Sequence, residues 1–294
     1  MSERTDWATA QYADHRELLF SIVYNIVGSV ADTEDVLQET WLAWVAADHA
    51  ELRNARGYLI RIAVNEAMNR LRKARRNRET YVGPWLPEPI VGDAAAERVV
   101  QAEAVSLAML VVLETLTPLE RAVFVLHEVF GYPHNEIATT IGRTPVAVRQ
   151  LAHRAREHVR ARRPRVAVDA EIRRAATEKF LAAALGGDVT SLLEILAPDV
   201  TLWADGGGKA PAARRVVAGR DKVVRLLTSP GFAQASTELT GRLGTVNGEP
   251  AVLLYSGDRL YAVGVLDLDA DGRVRGLYGI ANPDKLRHIS RSLV

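Results

Sequence analysis

HNEIATTIGRTPVAVRQLAHRAREHV, residues 134–159, is the stretch of sequence that decides the fold of this chain. Gly142 suits the C-terminus of one helix, and Thr144-Pro145 suits the N-cap and first position of the next. Apolar residues then recur at helical spacing, at Val148, Leu151, Ala152, Ala155 and Val159. The pattern predicts a helix-turn-helix whose second helix buries this apolar stripe.

The other face of the second helix is basic and polar. Its residues are Arg149, Gln150, His153, Arg154 and Arg156. In such a motif the N-terminal half of the second helix reaches base edges in the major groove, where Arg suits guanine and Gln suits adenine, and later Arg residues meet phosphates. An Arg-rich solvated helix in an ordinary bundle is the alternative, and this stretch alone leaves both open.

Charge is segregated along the chain, although its net formal charge is only +1. Residues 1–50 are acidic, residues 51–78 are basic, and a second basic block runs from Arg143 to Arg165. Two separated basic blocks predict two contacts with a polyanion. The chain has no cysteine, which excludes disulfides and thiolate sites, and no apolar run of about 18 residues, so we expect a cytoplasmic protein without a membrane segment.

Three helices are predicted upstream of the helix-turn-helix. The third runs from about Tyr58 to Arg75, and its polar face carries Arg61, Asn65, Asn69 and Arg72. Because Asn is a poor helix former, these amides point to a role such as reading unpaired bases, with residues 52–57 as a pocket. The second helix begins with the acidic stretch Asp32-Thr-Glu-Asp-Val-Leu-Gln-Glu-Thr-Trp41, which fits either the helix dipole or a partner surface.

The rest of the chain is divided by prolines and by a change of pattern. Residues 79–89 contain three prolines and predict an extended linker, after which helix resumes from about Ala95 to Thr115 and again at the capping box Thr117-Pro-Leu-Glu120. Beyond Arg165 we predict helices at residues 170–185, near 192 and at 220–227, and a strand at residues 200–203. Antiparallel strands follow, joined by hairpins at residues 247–248, 256–258 and 269–272. This order predicts an α+β domain.

Taken together, these motifs resemble the extracytoplasmic-function (ECF) class of RNA polymerase sigma factors. The resemblance rests on the acidic helix, the Asn-containing basic helix, Leu-Thr-Pro-Leu-Glu-Arg, Glu-Ile-Ala and Arg-Gln-Leu-Ala-His-Arg-Ala-Arg, and it covers about the first 160 residues. It implies a multidomain protein with two all-α sigma modules, residues 1–78 and the helix-turn-helix module 95–163, joined by a linker at 79–94. An α+β, cone-shaped SnoaL-like domain at residues 164–294 would follow.

The resemblance also implies partners and their contact residues. Core RNA polymerase, through its β′ clamp helices and β flap, would be bound by a set that includes Asp32, Asp35, Gln38, Glu39 and Trp41. The minus-ten element of promoter DNA would be recognised and opened by Asn54, Arg56, Arg61, Asn65, Asn69 and Arg72. The minus-thirty-five element would be read by Arg149, Gln150, His153 and Arg154.

Three further stretches match the subgroup of this class that carries a fused SnoaL-like domain: residues 81–89, 203–209 and 282–286. This implies that the third domain contacts the sigma core and tunes its activity in place of a separate anti-sigma factor, in a chain that is monomeric when free. The implied regulatory residues are Asp205, Gly206, Gly207, Gly208, Lys209, Asn282, Pro283, Asp284, Lys285 and Leu286. Lys209 would face an acidic surface of the first module; a plain turn at the three glycines is the alternative.

Two other functions compete with this interpretation. SnoaL-like folds include isomerases and cyclases, but no grouping of acid, His and Tyr at a convincing spacing can be found, so we expect no catalytic residue, cofactor or metal. A helix-turn-helix repressor is the second competitor, and the acidic helix and the absence of an obvious dimerisation helix argue against it.

Overall fold

The computed structural model describes residues 2–48, 54–92, 105–162 and 168–287, together with Leu52 and Ile289. These residues form two compact units. The helical unit contains the described residues up to Glu79, Val105 and residues 112–162. The sheet unit contains residues 80–92, 106–111 and the described residues from Val168 onward.

The helical unit begins with α1 (Ser2–Val27), α2 (Val30–Ala46) and α3 (Ala55–Arg78), the three helices that the apolar spacing predicts. Ser29 caps α2 by accepting a hydrogen bond from the backbone N–H of Asp32. The indole of Trp44 is fully buried and donates to the carbonyl of Ala8 at 2.8 Å, which joins α2 to α1. The apolar stripe of α3 is buried: Ile60, Val64, Ala67, Met68 and Leu71.

The second half of the helical unit contains the predicted helix-turn-helix. Its helices are α5 (Pro118–Phe124) with a π-helical turn (Val125–Val129), α6 (His134–Ile141) and α7 (Pro145–Arg162). The helix α4 (Leu107–Leu113) precedes them, and its residues 107–111 belong to the sheet unit. Thr117 and Glu120 form both halves of the capping box, and Gly142 ends α6 with φ of +64°. The stripe of α7 is buried as predicted. Of the helix expected from Ala95, residues 95–104 lie outside the described residues.

The sheet unit has the helices α8 (Ala170–Gly186), α9 (Val189–Ile195), α10 (Arg220–Leu227), α11 (Pro230–Ser236) and α12 (Pro283–Leu286). Its strands are β1 (Leu196–Asp205), β2 (Val217–Ala218), β3 (Leu239–Val246), β4 (Glu249–Ser256), β5 (Arg259–Leu268) and β6 (Val274–Ile280). They form one sheet in the order β2-β1-β6-β5-β4-β3.

Strands β3 to β6 form an antiparallel meander on the three predicted hairpins. Asn247 and Gly248 both have positive φ, as the first of these turns requires. The sequence pattern left open how the strand at residues 200–203 pairs: β1 pairs antiparallel with β2 and in parallel with β6. A long connection separates β1 from β6, so no hairpin dictates their relative direction.

Residues 80–92 follow an extended path, as their prolines predict, and belong to the sheet unit. Leu86 is fully buried in the apolar cluster on the sheet face that also packs against Leu107 and Leu286. Val91 forms an isolated antiparallel bridge with Val246 at the sheet edge. The segment predicted as a linker thus packs as part of the sheet unit along this stretch. Within the described residues, every helix is too short or too polar to cross a lipid bilayer.

Candidate functional site

The outer face of α7 is an open, polar surface. Arg149, Gln150, His153 and Arg154 are all exposed on the side opposite the buried stripe. Arg154 Nε lies 3.3 Å from Glu120 Oε1, and this ion pair is exposed enough to exchange for a contact with a phosphate. Val146, at the start of α7, is 55% exposed and was not among the predicted contact residues. An exposed apolar side chain at that point can contact the methyl group of thymine.

The polar face of α3 is partly engaged by the helix-turn-helix. Arg61, Asn69 and Arg72 are exposed. Asn65 is half-buried, and its Nδ2 donates to the carbonyl of Arg61 at 2.7 Å and to the carbonyl of Thr140 at 3.0 Å. Of the predicted base-reading residues on α3, Asn65 is therefore held against α6 in this arrangement.

The N-terminus of α3 carries the other two predicted contacts to the minus-ten element. Asn54 caps the helix, because its Oδ1 accepts from the N–H of Gly57 at 2.8 Å. Arg56 donates to the hydroxyl of Tyr132 at 3.0 Å and its guanidinium lies 5.8 Å from the centre of that ring. Arg53 of the predicted pocket loop lies outside the described residues.

The acidic helix α2 has two kinds of predicted contact residue. Asp35, Gln38 and Glu39 are exposed. Asp32 and Asp35 both bind Arg70 of α3, with Asp32 Oδ1 2.7 Å from Arg70 Nε. A hydrogen bond with Glu66 raises the pKa of Glu39.

An apolar patch accompanies the acids on α2. Trp41 is half-buried, with its ring 5.1 Å from the ring of Tyr12. Leu42 and Val45 are 60% and 39% exposed and were not among the predicted contact residues. Both residues lie close to Trp41 on the same helix, so they add exposed apolar area to the predicted partner surface. Exposed apolar patches of this kind are typical of surfaces that a partner protein covers.

Glu114 organises a cluster of arginines that the sequence analysis also missed. Its carboxylate pairs with Arg78 and with the fully buried Arg121. Arg75 donates to the backbone carbonyl of Glu114 at 3.1 Å, and Arg121 donates to that of Asn25 at 3.1 Å. Burial lowers the pKa of Arg78, and Glu114 opposes that shift. The cluster joins α1, α3 and α5 in one network.

Asp205, at the end of β1, is the centre of a buried cluster in the sheet unit. Its carboxylate accepts from the Tyr81 hydroxyl at 2.5 Å and from the N–H of Leu86 at 2.8 Å, and pairs with Lys285 Nζ at 2.6 Å. Lys285 also donates to the carbonyl of Leu86, and its ammonium lies 4.1 Å from the centre of the Trp85 ring. Asp205 is fully buried and Lys285 is 5% exposed.

The third stretch, residues 282–286, completes the same cluster. Asn282 Nδ2 donates to the Tyr81 hydroxyl at 2.8 Å, and its Oδ1 accepts from the N–H of Asp284 at 3.0 Å. Burial, together with the bond to Asp205, raises the pKa of Tyr81 well above its usual value. The three stretches that the resemblance singled out therefore meet at one point. Within the sheet unit Lys209 pairs with Asp284, and its predicted contact with the first module stays a prediction.

A second anchor holds the same segment at the sheet edge. Asn247 is 2% exposed; its Oδ1 accepts from the N–H of Ile90 at 3.1 Å, and its own N–H donates to the carbonyl of Ile90 at 2.9 Å. The sequence analysis assigned Asn247 only to a hairpin turn. A turn residue gives no local signal that its side chain binds a segment far away in sequence.

Gly207 cannot be replaced without disturbing this cluster. Its φ is +59°, and an added Cβ would lie 2.2 Å from Asn282 Nδ2. We expect Gly207→Ala to destabilise the sheet unit by about 1–3 kcal/mol, because the substitution combines an unfavourable φ with a displaced Asn282. Hydrogen exchange at the amides of β1 and β6 would measure the change for this unit.

Gly186→Ala is the matched control. Gly186 lies at the end of α8 with nothing within 4 Å of the added Cβ and no positive φ. We expect that variant to be neutral or about 0.5 kcal/mol more stable. Equal stability of the two variants would contradict the role assigned to Gly207.

The comparisons with known proteins agree with this architecture. Residues 11–77 match the model of Sigma-70 region 2, and residues 106–159 match that of Sigma-70, region 4. The chain is 39% identical over 286 residues to the ECF RNA polymerase sigma factor SigJ of Mycobacterium tuberculosis, covering 92% of this chain and 90% of that protein. It is 33% identical over 290 residues to the probable ECF RNA polymerase sigma factor SigI of the same species, covering 96% and 95%.

A solved structure extends the likeness to the sheet unit. The crystal structure of Mycobacterium tuberculosis SigJ superposes with a TM-score of 0.75 at 33% identity and covers 95% of this chain and 98% of that one. Both sigma modules and the α+β domain are included in that match, so the predicted fold class is confirmed. The chain therefore belongs to the ECF RNA polymerase sigma factors, which direct promoter-specific initiation of transcription.

Proposed function

We propose that this sigma factor reads its promoter with two faces of the helical unit. The face of α3 binds and opens the minus-ten element with Asn54, Arg56, Arg61, Asn65, Asn69 and Arg72. The face of α7 lies in the major groove of the minus-thirty-five element with Arg149, Gln150, His153 and Arg154. The observation that carries the proposal is that Arg149, Gln150, His153 and Arg154 are exposed on α7 opposite a buried stripe, the arrangement that a recognition helix needs.

Arg149→Ala tests the assignment of α7. If Arg149 contacts a guanine edge, its loss costs about 1–3 kcal/mol, or roughly 5- to 150-fold in affinity, and relaxes the preference at one base pair. Holoenzyme binding to promoter duplexes that differ at single positions of the minus-thirty-five element would measure both effects.

Arg160→Ala is the control for that experiment. Arg160 is exposed near the end of the same helix and pairs with Glu157. A phosphate contact there would weaken binding uniformly over all sequences. If Arg149→Ala also weakens every duplex equally, Arg149 does not read a base.

Core RNA polymerase is the partner of the α2 surface in this proposal. Gln38, Glu39 and Trp41, extended by Leu42 and Val45, dock on the β′ clamp helices, and Asp32 and Asp35 keep their place through Arg70. The helix-turn-helix module contacts the β flap. Run-off transcription with core polymerase and a cognate promoter tests this, and a yield no higher than with core alone would contradict it.

The helical unit must open before both promoter elements can be bound. The element names place them about 25 base pairs apart, which is about 85 Å of duplex at 3.4 Å per base pair. In the structure, however, α3 and α6 are in contact through Asn65 and Thr140, and Arg56 binds Tyr132. These contacts therefore favour a closed form that competes with promoter binding.

Tyr132→Phe is expected to shift this balance toward the open form. It removes the hydrogen bond to Arg56 and keeps the aromatic ring, so a loss of about 1 kcal/mol from the closed form corresponds to about fivefold tighter promoter binding by the holoenzyme. Tyr58→Phe, on the same helix as Arg56, is the control and is expected to leave the affinity unchanged. Unchanged or weaker binding by Tyr132→Phe would contradict the closed form.

In this proposal the sheet unit regulates the sigma factor from within the chain and takes the place of a separate anti-sigma factor. The free protein is a monomer. The supporting observation is that residues 80–92, which connect the two sigma regions in sequence, are held by Asp205 and by Asn247. Because this part of the connection is bound, it restricts how far the two regions can separate.

Truncation before Asp169 tests the regulatory role through core affinity and transcript yield. Because truncation also exposes the buried face of Leu86, a full-length Asn247→Ala variant is needed alongside it. We expect both variants to change transcript yield in the same direction. Core affinity and transcript yield identical to those of the unmodified chain would contradict the regulatory role.

A further inference from the structure

A cavity of about 520 Å³ lies in the sheet unit beside α12, and none of the roles described above uses it. It is lined by the loop after β1, the β4–β5 hairpin and α12, and its polar lining consists of Lys209, Ser256, Arg259, Tyr261 and Arg287. Cavities of roughly 300–1,000 Å³ are the size that holds small organic ligands.

Positive charge exceeds negative charge around this cavity. Lys209 and Arg287 share one carboxylate, that of Asp284: Lys209 Nζ bonds one oxygen and Arg287 Nη2 lies 2.7 Å from the other. Arg259 is exposed at the start of β5, and within the described part of the chain it forms no ion pair. An anion that enters the cavity would contact three cationic side chains. Lys209 and Arg287 would have to give up contacts with Asp284, whereas Arg259 would not have to break an ion pair.

The cavity also offers hydroxyl groups and an apolar wall. Ser256 and Tyr261 make no side-chain hydrogen bond among the residues that the structure describes, so both hydroxyls are available as donors. Leu260 and Leu286 line the cavity and are each only 3% exposed, so they provide a dry floor. A few convergent polar groups on an apolar wall are typical of small-molecule sites.

We propose that this cavity binds a small organic anion, a carboxylate or a phosphate monoester attached to an apolar body. The guanidinium groups of Arg259 and Arg287 match the paired oxygens of either group. Ser256 and Tyr261 donate to the remaining oxygens, and the apolar body lies against Leu260 and Leu286.

The position of the cavity links such a ligand to the Asp205 cluster. An anion that recruits Lys209 and Arg287 competes with Asp284, whose N–H is capped by Asn282, and Asn282 in turn binds Tyr81. Ligand binding in the cavity would therefore change how strongly the sheet unit holds residues 80–92. This consequence rests on the regulatory role proposed above, whereas binding itself does not.

Calorimetric titration of the full chain with phenyl phosphate, benzoate and benzyl alcohol tests the site. We expect at least one of the two anions to bind with a Kd below about 1 mM and the neutral alcohol to bind at least about tenfold more weakly. The ratio of the two anion affinities distinguishes phosphate from carboxylate as the preferred group. Failure of both anions to bind, or equal binding of the alcohol, would overturn the proposal.

Arg259→Ala locates the site, with Arg225→Ala as the matched control. Arg225 is an exposed arginine on α10 and does not line the cavity. We expect Arg259→Ala to weaken anion binding at least about tenfold and Arg225→Ala to leave it unchanged, since only the former removes a charge-assisted contact. Unchanged anion binding with weaker promoter binding in Arg259→Ala would show a DNA-phosphate contact and overturn the assignment. The transcript yield of a run-off assay with saturating anion then tests whether ligand binding affects regulation, separately from whether the ligand binds at this cavity.

Discussion

Asp205→Asn is expected to destabilise the sheet unit by about 3–5 kcal/mol, because it leaves the buried ammonium of Lys285 without its anion. The carboxylate that is lost also accepts from Tyr81 and from the backbone of Leu86, so the substitution loosens residues 81–86 as well. Hydrogen exchange at the amides of β1 and β6 would report the loss for this unit alone. A two-unit chain need not unfold in one step, so a single global transition would be less informative.

Two further variants decide whether the loss comes from the buried charge. Asp284→Asn removes an exposed carboxylate that pairs with Lys209 and Arg287, and we expect it to cost less than about 1 kcal/mol. Adding Lys285→Met to Asp205→Asn removes the stranded charge and should restore part of the stability. Equal effects of Asp205→Asn and Asp284→Asn would contradict the central position of Asp205.

Glu114→Gln is expected to have an effect of similar size on the helical unit, about 3–5 kcal/mol. Arg121 has no exposed surface, and its ion-pair partner is Glu114; Arg78 shares the same carboxylate. Without that carboxylate, two guanidinium groups remain close together in a site where burial already lowers the pKa of Arg78. Because a domain is stable by only about 5–15 kcal/mol, we expect a lower unfolding temperature and lower transcript yield at 37 °C.

Glu157→Gln is the control for this second prediction. Glu157 pairs with Arg160 at 3.3 Å on the exposed side of α7, where both side chains are more than half exposed. Its loss is expected to change the stability by less than about 1 kcal/mol. If Glu157→Gln destabilises the helical unit as much as Glu114→Gln, the buried cluster is not a source of its stability.

Much of the candidate promoter interface could be anticipated from the residues, because its signals are local. The exposed face of α7 follows from the spacing of Val148, Leu151 and Ala155, and a helix places such residues on one side wherever it lies. Whether a predicted contact residue is covered by another helix, in contrast, is not a local property. The contact of Asn65 with Thr140 spans 75 residues and depends on how α3 and α6 pack, which neither helix encodes alone.

The sequence by itself determined most of the helices, the caps around the helix-turn-helix and the hairpin turns. Thr117 with Glu120, Gly142, and Asn247 with Gly248 each act within about four residues, where local backbone geometry controls the outcome. Together with the motif order, these local signals were enough to indicate an ECF sigma factor.

Only the tertiary structure decided the parallel pairing of β1 with β6, the arginine cluster at Glu114 and the partners of Asp205. Tyr81 and Leu86 reach Asp205 across 124 and 119 residues, and Lys209 finds Asp284 across 75. Such pairs form because a buried charge or backbone group without a partner costs free energy. The local spacing of residues does not indicate which distant residue will become that partner. Residues 80–92 therefore look like a free linker in the sequence and pack as part of the sheet unit in the folded protein.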